Sequence, residues 1–121
     1  MRIFKSAWFC RYARREKIKD AALKDVIVGA EYGLIDADLG GGVLKQRIAR
    51  AGQGKSGGYR SIILFCKGER AFFIYGFAKS DRENIEPEEL AGFRKLAKEY
   101  LALSEKQIEM MLEDEKLEEI T

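Results

Sequence analysis

The sequence predicts an α+β fold in which N-terminal helices precede an antiparallel β-meander and C-terminal helices close the chain. Two changes of period carry this reading. Apolar residues recur at helical spacing before Gly33 and again after Pro87. Between them, from Val43 to Ala78, the period changes to two and β-branched and aromatic residues gather in YRSIILFC and RAFFIYGFA. A third observation bounds the size. With 121 residues, 46% of them hydrophobic, and a single proline, the chain can build one core as one domain, 1–121.

Each element follows from its residues. Arg2 to Phe4 reads as a short strand. Ser6 to Lys17 reads as a helix with Ser6 as N-cap. Trp8, Phe9, Tyr12 and Ala13 form its apolar stripe, expected to pack in the core rather than to serve as a binding platform. A second helix is expected from about Asp20 to Tyr32, with Ala22, Leu23, Val26, Ile27 and Ala30 at helical spacing and Gly33 as the stop. LIDADLGGG is a turn-rich connection. In VLKQRIAR the alternation sets Lys45 and Arg47 on one face and Leu44, Gln46 and Ile48 on the other. YRSIILFC, Tyr59 to Cys66, is a strongly apolar strand. KGER turns the chain into RAFFIYGFA, Arg70 to Ala78. Pro87, with Glu86, Glu88 and Glu89, suits the start of a helix striped by Leu90, Phe93, Leu96, Ala97, Tyr100 and Leu101. Ser104 to Gln107 is a capping box opening a last helix with Ile108, Met111 and Leu112. Glu113 to Glu119 is expected to be the solvated end of that helix.

Several chemistries are absent from the composition. The chain has no histidine, which removes the usual neutral-pH base, histidine metal ligands and Ser-His or Cys-His pairs. Cys10 and Cys66 form no CxxC pair and read as reduced thiols of a cytoplasmic protein. No apolar run approaches the roughly 18–20 residues of a membrane span, and MRIFKSAWFCRYARREK lacks the pattern of a signal peptide. No metal or cofactor is expected, because no dense set of ligands is visible.

The charge is unevenly spread. Residues 1–85 hold 17 basic and 9 acidic side chains, and residues 86–121 hold 5 and 11. Between Asp38 and Glu69 lie Lys45, Arg47, Arg50, Lys55, Arg60 and Lys67 without one carboxylate. Such a window suits an anionic partner. Within it, AGQGKSGGYR ends like a phosphate-binding loop, but Ala49 stands where that motif needs its first glycine. A strand rather than a helix follows. The segment therefore reads as a glycine-rich hairpin loop whose amides and Lys55 can still meet a phosphate. Lys45 and Arg47 lie about 6–7 Å apart on one strand face. Arg60 begins the next strand, and Lys79 and Arg82 follow the third. A meander brings these cations to one face, for which a phosphodiester is the natural ligand.

VLKQRIARAGQGKSGGYRSIILF and FFIYGFAKSDRENI resemble the HigB-like branch of the RelE superfamily, the toxins of type II toxin–antitoxin systems. IFKSAWFCRYARREKI, DADLGGG and FRKLAKEYLALS extend the resemblance over nearly the whole chain. It implies a RelE-like, microbial-RNase-like fold, cleavage of mRNA on the ribosome, and neutralisation by an antitoxin, expected to carry a helix-turn-helix domain. The family's alternating basic residues match Lys45 and Arg47, and its GYR segment matches Gly58, Tyr59 and Arg60. Lys79 or Arg82 fills the basic position after the last core strand. The histidines and the C-terminal tyrosine that carry protons in some relatives have no counterpart.

RNA supplies its own nucleophile, the 2′-hydroxyl. Arg60 is the candidate transition-state clamp, since a guanidinium grips phosphate oxygens in pairs and keeps its charge. Arg47 is a second catalytic candidate. A lysine crowded by cations gives up its proton more readily, which makes Lys45 and Lys79 candidate bases; Tyr75 and Asp81 are others. Lys45, Arg50, Lys55 and Arg82 are the expected RNA contacts. Two other readings use the same residues: a non-catalytic RNA- or ribosome-binding module, and a protein-interaction domain working through its acidic helices.

Overall fold

The computed structural model describes residues 1–50 and 54–121, with the side chains of Arg50 and of 54–57 outside the described set. The elements run β1 (Arg2–Ser6), α1 (Ala7–Glu16), α2 (Asp20–Glu31), β2 (Ala37–Asp38), β3 (Val43–Arg50), β4 (Gly54–Cys66), β5 (Arg70–Ala78), α3 (Pro87–Tyr100), α4 (Glu105–Glu113) and β6 (Leu117–Ile120). The strands form one sheet in the order β2-β3-β4-β5-β1-β6. Its pairings are antiparallel except for β1 beside β5. The α+β class and the central meander stand as the sequence predicts.

Local chemistry explains most boundaries. The Ser6 hydroxyl accepts from the Phe9 amide and caps α1. Lys17, in the left-handed region at φ 58°, ends it. Ser104 and Gln107 cap α4 reciprocally. Each face of the sheet carries a core. On one side Phe9, Leu23 and Ile27 of α1 and α2 pack on Ile63 and Phe73. On the other, Ala97 of α3 and Ile108 of α4 join Phe4, Ile62, Leu64 and Phe72.

Three expectations are corrected. β4 begins at Gly54, five residues before the predicted Tyr59. The DADL segment contains the short strand β2, paired with Lys45 and Leu44 of β3. The acidic C-terminal stretch is not a helix end: α4 stops at Glu113, and Leu117–Ile120 turns back as β6 against β1. Long-range charge explains that return. Arg2 grips Glu119 through two nitrogens at 2.8 Å, and the buried Lys5 ammonium joins Asp20 at 2.8 Å and Glu118 at 3.3 Å. Burial alone disfavours that ammonium, but its two carboxylates more than compensate and raise its pKa. Of the expected glycine-rich loop, residues 54–58 belong to β4 and residues 51–53 lie outside the described residues.

Candidate nucleic-acid interface

Three strands present one face as successive rows. Val43 of β3 pairs with Leu64 of β4, and Leu64 with Phe72 of β5. The next row is Lys45, Ile62 and Tyr75, and the next Arg47, Arg60 and Phe77. α3 covers the first row, where Ala97 and Leu101 pack. Past it the rows turn cationic and aromatic.

A β-bulge creates the aromatic part. Opposite Ile62 and Ile63 of β4 stand Tyr75 and Phe73, so Ile74 is the extra residue. Strict alternation would put Tyr75 on the side of Phe73, among α1 and α2. The bulge turns Tyr75 and Phe77 onto the cationic face and leaves Gly76 facing α1. A Cβ on Gly76 would stand 2.8 Å from the Tyr12 ring, so the missing side chain lets Tyr12 lie against the strand.

The predicted cations are placed unequally. Lys45, Arg47 and Arg60 share the face. Arg47 and Arg60 are direct cross-strand partners, a like-charge pairing that needs relief. Asp36 supplies part of it: its carboxylate accepts from the Arg47 amide at 2.7 Å and from the guanidinium at 3.0 and 3.2 Å. The carboxylate-free window is thus neutralised from just outside its own bounds. Lys45 donates to the Asn84 side-chain oxygen at 3.1 Å. Arg60 is half-buried, with Nη1 3.5 Å from the Tyr59 carbonyl. Lys79 is exposed in the turn after β5, and the Asp81 amide closes that turn onto the Ala78 carbonyl. The side chains of Arg50 and Lys55 lie outside the described residues.

Arg82 differs from the rest. Its Nη1 and Nη2 donate to Glu89 at 3.1 and 2.5 Å, Nη1 also donates to the Tyr75 hydroxyl at 3.1 Å, and Nε donates to the Asn84 carbonyl at 2.9 Å. Its guanidinium lies over the Tyr75 and Phe77 rings. The Glu89 hydrogen bond is the main cause of its raised pKa. In return Arg82, followed by the Glu86 amide, lowers that of Glu89. Arg82 is therefore a brace, binding the loop before α3 to the Tyr75 hydroxyl. Asn84 and the role of Glu89 escaped sequence reasoning. A glutamate in a first helical turn reads as a partner of the helix dipole, and nothing marks Asn84.

The arrangement can hold a phosphodiester between Arg47 and Arg60, with Lys45 and a phenol one row away. Among the described residues no group of three or more Cys, Asp or Glu is placed to hold a metal ion. A hollow of about 800 Å³ lies between α1, α2 and Tyr59 on the other side of the sheet. Lys45, Arg47 and Arg60 do not line it, and a polymer needs an open face rather than a pocket. No helix of the described residues is long and apolar enough to cross a membrane. The family model for the RelE toxin of RelE / RelB toxin-antitoxin system matches residues 1–120. No curated protein and no solved structure matches the chain.

Proposed function

The chain belongs to the RelE toxin family of toxin–antitoxin systems, and from that premise we propose that it is a HigB-like, ribosome-associated mRNA endoribonuclease of the cytoplasm. Its antitoxin partner, implied by the family, is read as one bearing a helix-turn-helix domain. The observation that supports cleavage is the row in which the exposed Arg47 faces Arg60, with Tyr75 diagonal to Arg60 on the next strand.

RNA crosses these rows with its scissile phosphate against Arg60. The fork of Arg60 binds the non-bridging oxygens and meets the charge that grows on them. Arg47, oriented by Asp36, and Lys45, held by Asn84, fix the flanking backbone. O2′ gives its proton to a solvent water as it bonds to phosphorus, and the bond from phosphorus to O5′ breaks. The Tyr75 hydroxyl already accepts a hydrogen bond from Arg82, so its own proton points elsewhere and is free to go to the departing O5′. The resulting phenolate faces the Arg82 guanidinium. The products are a 2′,3′-cyclic phosphate and a 5′-hydroxyl, and no step uses a metal.

The experiment compares Tyr75→Phe with the unaltered protein on ribosomes programmed with mRNA. New 5′-hydroxyl ends are expected with the unaltered protein, and about 10²–10⁴-fold slower cleavage with the variant. A substrate carrying sulfur at the 5′ leaving position needs little protonation and is expected to restore most of the rate. RNA bound but never cut would favour the non-catalytic module. Cleavage undiminished by Tyr75→Phe would remove the tyrosine from the mechanism.

A further inference from the structure

A column of rings leads away from the cationic face. Where β1 ends at Ser6, the neighbouring strand β5 continues, and Trp8 of α1 fills the space beside it. Its indole lies 4.6 Å from the Tyr75 ring and stacks on Tyr12 at 5.2 Å and 15°. The Arg15 guanidinium lies over Tyr12 at 5.3 Å. Trp8 is nevertheless 38% exposed, against the expectation that the aromatics of α1 are core. Arg11 and Arg15 continue the same outer stripe at helical spacing, and both are exposed. Among the described residues the one ion pair of Arg15 is with its neighbour Glu16 at 3.3 Å, and its side chain remains 70% exposed. Arg11 has no carboxylate within ion-pair distance among the described residues, and residues 50–57 contain none.

We propose that Trp8, Arg11 and Arg15 form a second contact for single-stranded RNA, a track on which the substrate leaves the cleavage face. An unpaired base rests against the exposed indole, and the following phosphates meet Arg11 and Arg15. From Trp8 to Arg15 the helix rises about 10 Å, so the track lengthens the footprint beyond the three rows on the sheet. Apolar contact with the exposed part of an aromatic side chain tolerates any base, so the track adds affinity and a demand for unpaired RNA without reading sequence. This rests on the endoribonuclease reading. A structured ribosomal RNA offers the same phosphates but no splayed base, which separates the two sources.

The test uses the protein's single tryptophan. A trinucleotide and a decanucleotide sharing one core, each with deoxyribose at the scissile position, are titrated while Trp8 emission and anisotropy are followed. The decanucleotide is expected to bind more tightly and to quench the emission. Arg11→Gln with Arg15→Gln is expected to weaken the decanucleotide about tenfold and flatten its salt slope by about one, leaving the trinucleotide unchanged. Trp8→Phe should keep part of that advantage and Trp8→Ala lose it. An undiminished length advantage and salt slope in the double variant would overturn the track, as would unmoved emission. So would quenching by an RNA duplex as strong as by the single strand, which would assign the stripe to structured RNA. Loss of antitoxin binding with RNA binding intact would make the stripe a protein-docking surface instead. If neither oligonucleotide binds the unaltered protein, the endoribonuclease reading falls with the track; if both bind and ignore the stripe, the track alone falls.

Discussion

Two regions of one sheet face are built from the same strands and end differently. Val43 and Leu64 face each other under α3 and are wholly buried. Four residues along β3, Arg47 faces Arg60, with the Arg47 side chain 44% exposed. Strand alternation assigns both pairs to the same side. What separates them is how far α3 reaches. The covered half holds the sheet to the helices, and the other half is left outside the helical cover because burying it would strand like charges in a medium of low dielectric.

Substitutions in the two halves should therefore fail in opposite ways. The largest effect is expected from Arg60→Lys, which keeps the charge but loses the planar fork. Cleavage on programmed ribosomes should fall about 10²–10³-fold with the thermal midpoint nearly unchanged. Addition of EDTA with ribosomal Mg²⁺ restored should leave the unaltered protein active. Leu64→Ala reverses the pattern. It should cost about 2–5 kcal/mol in urea unfolding, while the folded fraction still binds RNA. Equal loss of stability from both substitutions would break the contrast. A smaller effect is expected from Lys45→Ala with Arg47→Ala: weaker RNA binding and a salt slope reduced by about one. The smallest concerns pH. Glu89 has a depressed folded pKa, so its contribution is complete above the ordinary glutamate value of 4.5 and is lost as pH falls through the folded value. The gap in thermal midpoint between the unaltered protein and Glu89→Gln should accordingly narrow below that pH.

The contrast also measures what a sequence can reveal. The side on which Lys45 and Arg47 stand was legible because alternation is a local rule and Leu44, Gln46 and Ile48 obey it with them. The facing of Tyr75 was not, because one bulged residue reverses every side chain beyond it and Ile74 carries no mark of being extra. The Asp36–Arg47 pair was hidden because strand return, not sequence distance, brings the two together. β6 was misread because Leu117 and Ile120, three apart, fit a helix as well as a strand. What makes them a strand is the free edge of β1 and the charges of Arg2 and Lys5. Trp8 followed the apolar stripe of α1, and its exposure depends on where β1 stops.

Glu89 has one further consequence. The oxygen that accepts from Arg82 at 2.5 Å also accepts from the Glu86 amide at 2.7 Å and so fastens the first turn of α3. Helix nucleation and the bracing of Tyr75 thus draw on a single carboxylate, and local unfolding of that turn is thermodynamically linked to loss of the brace. A protein that unwound the start of α3 would release Arg82 from its carboxylate and leave the Tyr75 hydroxyl without a fixed direction. It would silence the toxin from a distance, with the Arg47 side chain still open to solvent.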